Sequence, residues 1–350
     1  MTVGSEKDIR HAVRTVLLTA ALTSISLVRN ANGQETLPVP LPMQSAASFM
    51  GGEITLTGAC SAFGLDFTPE SARTCQGIPM SLSSGKLDEA RQLADRLVTQ
   101  LPQSGVGHYW LGIIQLKQEN YISSLRYFQA AVDRSPQIPM AHLILGMCYA
   151  IMRQFELFKQ EMVWLTEHAP NESLAYFYLG QYYSKDLDQV DKGIGYFRLA
   201  LQRNPNDIRS RYMLGYAFEL KGDLDKASDE YQQAAVAVAA QGAAYSLPLQ
   251  GLARVSLEEG NDDKAIEYVR KAIQSEPTLA SNHVLLGKLY IKKGDSSNGI
   301  SALKRAADLD SADATPYYLL FRTYLKLKMP ADASWAQARF EEVKKAYGEE

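Results

Sequence analysis

The sequence predicts an all-α fold, an α-solenoid of stacked helix-turn-helix repeats behind an irregular N-terminal segment. Three observations predict it. Leu-Gly recurs at Leu111-Gly112, Leu145-Gly146, Leu179-Gly180, Leu214-Gly215 and Leu286-Gly287, and the first three steps are 34, 34 and 35 residues. Prolines keep a matching series at Pro102, Pro136, Pro170, Pro205 and Pro277. Between successive prolines lie two stretches with apolar residues at helical spacing, which argues for two antiparallel helices per repeat.

Composition supports a folded, soluble chain. Of 350 residues, 46% are hydrophobic and 21% charged, which excludes a largely disordered protein. The formal net charge is −3, so no overall basic field favours nucleic acid. No apolar run reaches the roughly 18 residues of a membrane-spanning helix. The 3 cysteines allow one bridge with a thiol left over, too few for a disulfide-dense scaffold.

Residues 1–33 read as a signal peptide. Arg10, His11 and Arg14 lead into 14 mostly apolar residues from Thr15 to Val28, and Ala31-Asn32-Gly33 follows with small residues at the positions a signal peptidase inspects. The expected destination is therefore outside the cytoplasm, periplasmic or secreted. An uncleaved leader holding the chain at the membrane is the alternative. Residues 34–70 read as a linker and irregular cap, with a net charge of −4 and no Lys or Arg. Leu37-Pro38-Val39-Pro40-Leu41-Pro42 favours an extended polyproline strut over a helix. Cys60 and Cys75 enclose 14 residues. Export would permit a disulfide between them, against the alternative of two reduced, packed thiols. No Cys-x-x-Cys pair points to redox chemistry.

Residues 71–347 form the array, with repeats starting at 71, 105, 139, 173, 208, 246, 280 and 314. Tyr176-x2-Leu179-Gly180-x2-Tyr183, with Phe197, Ala200 and Pro205 following, resembles the tetratricopeptide repeat (TPR) family. The resemblance implies a right-handed superhelix in which no repeat buries its apolar face alone. Small residues at Gly112, Gly146, Gly180, Gly215, Ala253 and Gly287 let paired helices approach closely. Ala131, Ala200, Ala234, Ala272 and Ala306 leave room for the next repeat. Lys221-Gly222-Asp223, Glu259-Gly260-Asn261 and Lys293-Gly294-Asp295 supply tight turns. Three departures stand out. The first repeat carries Gly77, Pro79 and Gly85 where its first helix belongs, which suggests a half-repeat. Four extra residues with Gly242 and Pro248 interrupt the period after the fifth, where a bend is expected. Phe321 and Met329-Pro330 make the last repeat atypical.

Nothing in the sequence announces catalysis. It holds no Gly-x-Ser-x-Gly, no phosphate-binding loop, no His-Glu-x-x-His and no dinucleotide fingerprint, and no cofactor is expected. His108, His142 and His283 share the fourth repeat position, which points to packing rather than to a converging metal site. Glu258-Glu259 and Asp262-Asp263 sit where solvated charge is usual, and Cys148 reads as a packed thiol.

Family resemblance implies that repeat positions 2, 5, 9 and 12 of each first helix line a concave groove. Those positions hold Tyr109, Ile113, Leu143, Met147, Phe177, Tyr212 and Tyr216 in repeats two to five. Repeats six to eight supply Arg254, Lys288 and Arg322, with Lys292 and Lys326 beside them. An apolar half followed by a basic half suits a protein segment with hydrophobic anchors and an acidic end. The expected function is a non-enzymatic scaffold of the cell envelope. An accessory subunit taking a glycan in the groove is the alternative, and a cryptic enzyme site between residues 34–70 and the first repeats is a third. No repeat has the Lys and Asn pair at positions 5 and 9 that chaperone-tail-binding relatives use, which disfavours that partner class.

Overall fold

The computed structural model describes residues 59–63, 67–185 and 187–347, together with a two-residue antiparallel pair, β1 (Val28–Arg29) and β2 (Glu35–Thr36). Apart from those strands, the expected signal segment and the proline-rich strut lie outside the described residues.

Everything else described is helical. A short α1 (Ala59–Ala62) precedes eight helix pairs. These are α2 (Pro69–Ser83) with α3 (Leu87–Gln100), α4 (Val106–Lys117) with α5 (Tyr121–Arg134), and α6 (Pro139–Ile151) with α7 (Phe155–His168). Next come α8 (Ser173–Tyr183) and, after a 3-10 turn at Leu187–Gln189, α9 (Val190–Arg203). Then follow α10 (Ile208–Leu220) with α11 (Leu224–Gln241), and α12 (Leu247–Glu258) with α13 (Asp262–Ser275). The last are α14 (Ala280–Lys292) with α15 (Ser296–Leu309), and α16 (Ala314–Lys326) with α17 (Pro330–Tyr347). Every first helix begins within two residues of its expected repeat start. The fold is an all-α solenoid whose helices divide into an N-terminal unit up to Tyr182 and a C-terminal unit from Tyr183.

The small residues do what their spacing implies. A Cβ on Gly112 would fall 2.6 Å from the Phe128 ring, and one on Gly146 would fall 2.5 Å from the Met162 methyl. In the C-terminal unit a Cβ on Gly215 would meet Tyr231 at 2.8 Å, and one on Gly287 would meet Leu303 at 2.7 Å. In these four repeats position 8 therefore carries no side chain because a large one from position 24 lies across it. Repeat eight reverses the arrangement: Phe321 fills position 8 and packs with Leu320, Tyr324, Ala333 and Ala336, while Gln337 at position 24 is exposed.

Turns recur as strictly. Position 15 adopts the left-handed conformation at Gly222 (φ 77°), Gly260 (77°) and Gly294 (88°). The same position is held by Glu119, Arg153 and Lys328, with φ of 60°, 57° and 58°. A side chain there costs roughly 1–2 kcal/mol, so the loss of glycine is tolerated rather than neutral. After the glycine turns the next residue caps the second helix: Asn261 accepts from the Lys264 N–H at 3.1 Å, and Asp295 from the Asn298 N–H at 3.1 Å.

One expectation is corrected. The first repeat is a whole hairpin, not a half. Pro69 opens α2, Thr68 caps it by accepting from the Ser71 N–H, and Pro79 lies inside it. Gly77 sits where α2 meets Leu93 of α3, so the apparent breaker is a close-approach residue. Cys60 and Cys75 are bonded, with their Cα atoms 6.0 Å apart, tying α1 to α2. The four extra residues after repeat five interrupt the period as expected, and they do so by lengthening α11. It runs 18 residues against 14 for α13 and α15, along an Ala-rich stretch that favours helix. Gly242 then terminates it in the left-handed conformation.

Candidate functional site

The candidate positions 5, 9 and 12 lie on the first helices, and the two units use them differently. In the N-terminal unit they belong to the core. Tyr109 is fully buried, with its ring edge-on to Phe63, Trp110 and Phe128 at 5.6, 5.5 and 6.0 Å. Ile113, Met147 and Phe177 are buried too, and Leu143 alone among them is half-buried. Four of the five side chains thus present no face to a ligand, because the adjoining helices cover them.

In the C-terminal unit the same positions form a graded series. Tyr212 and Tyr216 are buried, Tyr212 against Tyr231 and Tyr245 at 5.5 and 6.0 Å. Beside them Arg254, at position 9 of α12, donates from Nε and Nη2 to the two oxygens of Glu219, at position 12 of α10, at 2.7 and 2.8 Å. Its Nη2 also reaches the Tyr231 hydroxyl at 3.1 Å, and that hydroxyl donates to Glu219. Burial opposes the charge on Arg254, and the Glu219 carboxylate outweighs it, holding the guanidinium pKa above its usual range. Arg254 is therefore a neutralised strut between first helices, which corrects its expected place among the free cations.

Lys288, at the same position one repeat on, is a contrast. It is half-buried, and among the described residues it has no ion pair or hydrogen bond. Burial pulls its pKa down, and Asp313 only partly offsets this. Asp313 is itself committed, accepting from the Thr315 N–H at 2.8 Å to cap α16, and burial raises its carboxyl pKa. Arg322, a repeat further, is exposed and lies over the Tyr318 ring at 5.8 Å. Lys292 is spoken for by Asp262 at 2.7 Å, and Lys293 by Asp263, so the acidic pair of that turn holds the next turn. Of the expected basic half, Lys288, Arg322 and Lys326 keep their charge available.

The histidines hold structure. His142 donates from Nε2 to the Pro136 carbonyl at 2.8 Å, turns Nδ1 to Glu161 at 2.6 Å, and stacks on Trp164 at 3.5 Å. His283 donates to the Pro277 carbonyl at 3.0 Å, and Arg211 does the same to Pro205 at 3.1 Å. Position 4 thus satisfies the carbonyl of the proline six residues earlier, a role the sequence signalled only through the fixed spacing. His108 instead lies beside Tyr127, and burial lowers its pKa. No cluster of three metal-ligating side chains occurs among the described residues. Burial pushes the Cys148 thiol up to about 12, so it is an inert packed group. Glu258 has its pKa raised by partial burial and by Glu219 nearby, with Arg254 opposing.

Family models described as tetratricopeptide repeat match residues 109–154 and 185–244, and residues 249–279 and 280–313. Tetratricopeptide repeat protein 37 of Xenopus laevis is 24% identical over 236 residues, covering 65% of this chain but 15% of its own length. The chain thus spans about a seventh of that relative. Among solved structures, the Cut9–Hcn1 heterotetramer of the APC/C matches with a TM-score of 0.58 at 17% identity, over 77% of this chain and 52% of the other. A tetratricopeptide repeat protein from Parabacteroides merdae matches at 0.58 and 16% identity, over 73% of this chain and 99% of its own.

Proposed function

From a chain built of tetratricopeptide repeats, we propose a non-enzymatic scaffold of the cell envelope that holds an acidic segment of another protein along the first helices of its C-terminal unit. Lys288 carries this reading. A half-desolvated ammonium without a partner destabilises the free protein, whereas a carboxylate delivered by a ligand would complete it. Arg322 extends the same row to a second acidic contact, and Leu143 is the one expected apolar anchor left half-exposed in the N-terminal unit.

Export is proposed with it. The basic-then-apolar leader supports this, as does a Cys60–Cys75 bridge, which persists in oxidising compartments. Sequencing the N-terminus of the mature protein tests export: a start beyond Gly33 agrees with it, and an intact leader on cytosolic protein contradicts it.

The binding reading is tested by placing a photocrosslinking residue at Ser281, an exposed position of α14 beside Gln250 and two turns before Lys288, in the native host. The expected product is one defined protein joined through a segment rich in Asp and Glu, and lost when Lys288→Met is combined with Arg322→Ala. Products joined through neutral or basic segments, or unchanged in the double variant, refute it.

A further inference from the structure

Within the C-terminal unit, first helices reach their successors through side chains at repeat positions 5 and 12. Position 5 of α12, Gln250, donates to Ser281 and Asn282 at positions 2 and 3 of α14, at 3.2 and 2.7 Å. Position 12 of α10, Glu219, binds position 9 of α12, Arg254. Position 5 is consequently buried at Tyr212, Gln250 and Val284. On α16 the equivalent residues are Tyr318 and Leu325, and they are 41% and 54% exposed. No described helix follows on that edge. Between them lies Arg322, with Lys326 one turn beyond. α16 contains no Asp or Glu, and neither cation has an ion pair among the described residues.

We propose that this face of α16 is a docking site for an acidic amphipathic helix of a partner protein, seated as the first helix of a further repeat would be. The internal contacts set its register. An apolar residue meets Tyr318, a second one seven residues later meets Leu325, and a carboxylate between them meets Arg322, all on one helical face. Charge selects the occupant. A second copy pairing face to face would set Arg322 and Lys326 against their own equivalents, whereas an acidic helix neutralises both. This face shares Arg322 with the row that holds Lys288 but is defined by Tyr318 and Leu325, so the proposal stands if the reading of Lys288 fails.

The test uses the full chain and a fluorescent stapled helix of pattern Leu-x3-Glu-x2-Leu, followed by anisotropy. Tyr318→Ala and Leu325→Ala are each expected to weaken binding by about tenfold or more, since anchor truncations dominate such interfaces. Leu325 is exposed, whereas Tyr318 also packs on Phe340 of α17 at 5.6 Å, so circular dichroism and a thermal melt check that each variant keeps its fold. Arg322→Glu should lose the Glu peptide and gain the matching Lys peptide, while Lys304→Ala on α15 changes nothing. Absence of binding, or binding indifferent to Tyr318, Leu325 and Arg322, overturns the proposal. So does sedimentation showing a dimer that Leu325→Glu converts to monomer, because the occupant is then a second copy.

Discussion

Repeats two and three place Tyr109, Ile113 and Met147 at positions 5 and 9 of their first helices, and all three vanish into the core. Repeats six to eight place Arg254, Lys288 and Arg322 at position 9, and their fates diverge from paired to half-buried to exposed. One repeat slot thus serves two ends. Where it is apolar, the neighbouring helix takes it and the stack gains stability. Where it is charged, the neighbour must either supply a counter-ion, as Glu219 does, or leave the charge for something else.

The largest effects should fall on the paired charge. Glu219→Ala strands Arg254 among Tyr212, Tyr216 and Tyr231, and is expected to cost about 3–5 kcal/mol in urea unfolding of the C-terminal unit. A double replacement by Glu219→Leu with Arg254→Met should recover most of that loss, since an apolar pair of similar volume carries no stranded charge. If the double variant is as unstable as the single one, the pair is more than a strut.

Next comes the apolar half. Met147→Ala should cost about 2–5 kcal/mol as a buried cavity, whereas Arg322→Ala at the same repeat position should stay within about 0.5 kcal/mol of wild type. Similar losses for both in thermal melts would erase the contrast between the units. The smallest effect is local: Lys328→Gly relieves the left-handed position 15 and should raise stability by about 0.5–1 kcal/mol. The same change at Lys326, inside α16, should lower it instead.

The repeat register was legible in the sequence because close helix crossings demand small residues at fixed intervals, and Gly112, Gly146, Gly215 and Gly287 state that demand directly. The first helix of repeat one was not legible, because Gly77 and Pro79 read as breakers in the sequence. Tertiary packing gives Gly77 a crossing to serve, a capped first turn and a disulfide support α2, and an Ala-rich run carries α11 a full turn further. The site was less legible for a different reason. Whether a position 5 or 9 side chain is reachable depends on the following helix, and Arg254 looked as free as Lys288 until Glu219, 35 residues earlier, was found against it. Position 4 hid similarly, because His142, Arg211 and His283 share a hydrogen-bonding role rather than a residue type.

In the proposed function, Lys288 is an unpaired ammonium that costs the free protein stability. Urea denaturation of Lys288→Met beside wild type, from neutral to alkaline pH, tests it most directly. Burial lowers the folded-state pKa below the ordinary 10.5, so between the two values the unfolded chain binds more protons and wild-type stability rises with pH. Lys288→Met is expected to be more stable at neutral pH by about 1 kcal/mol and to lack that alkaline rise. A variant that is less stable, or that keeps the rise, would show that Lys288 already has its partner within the chain.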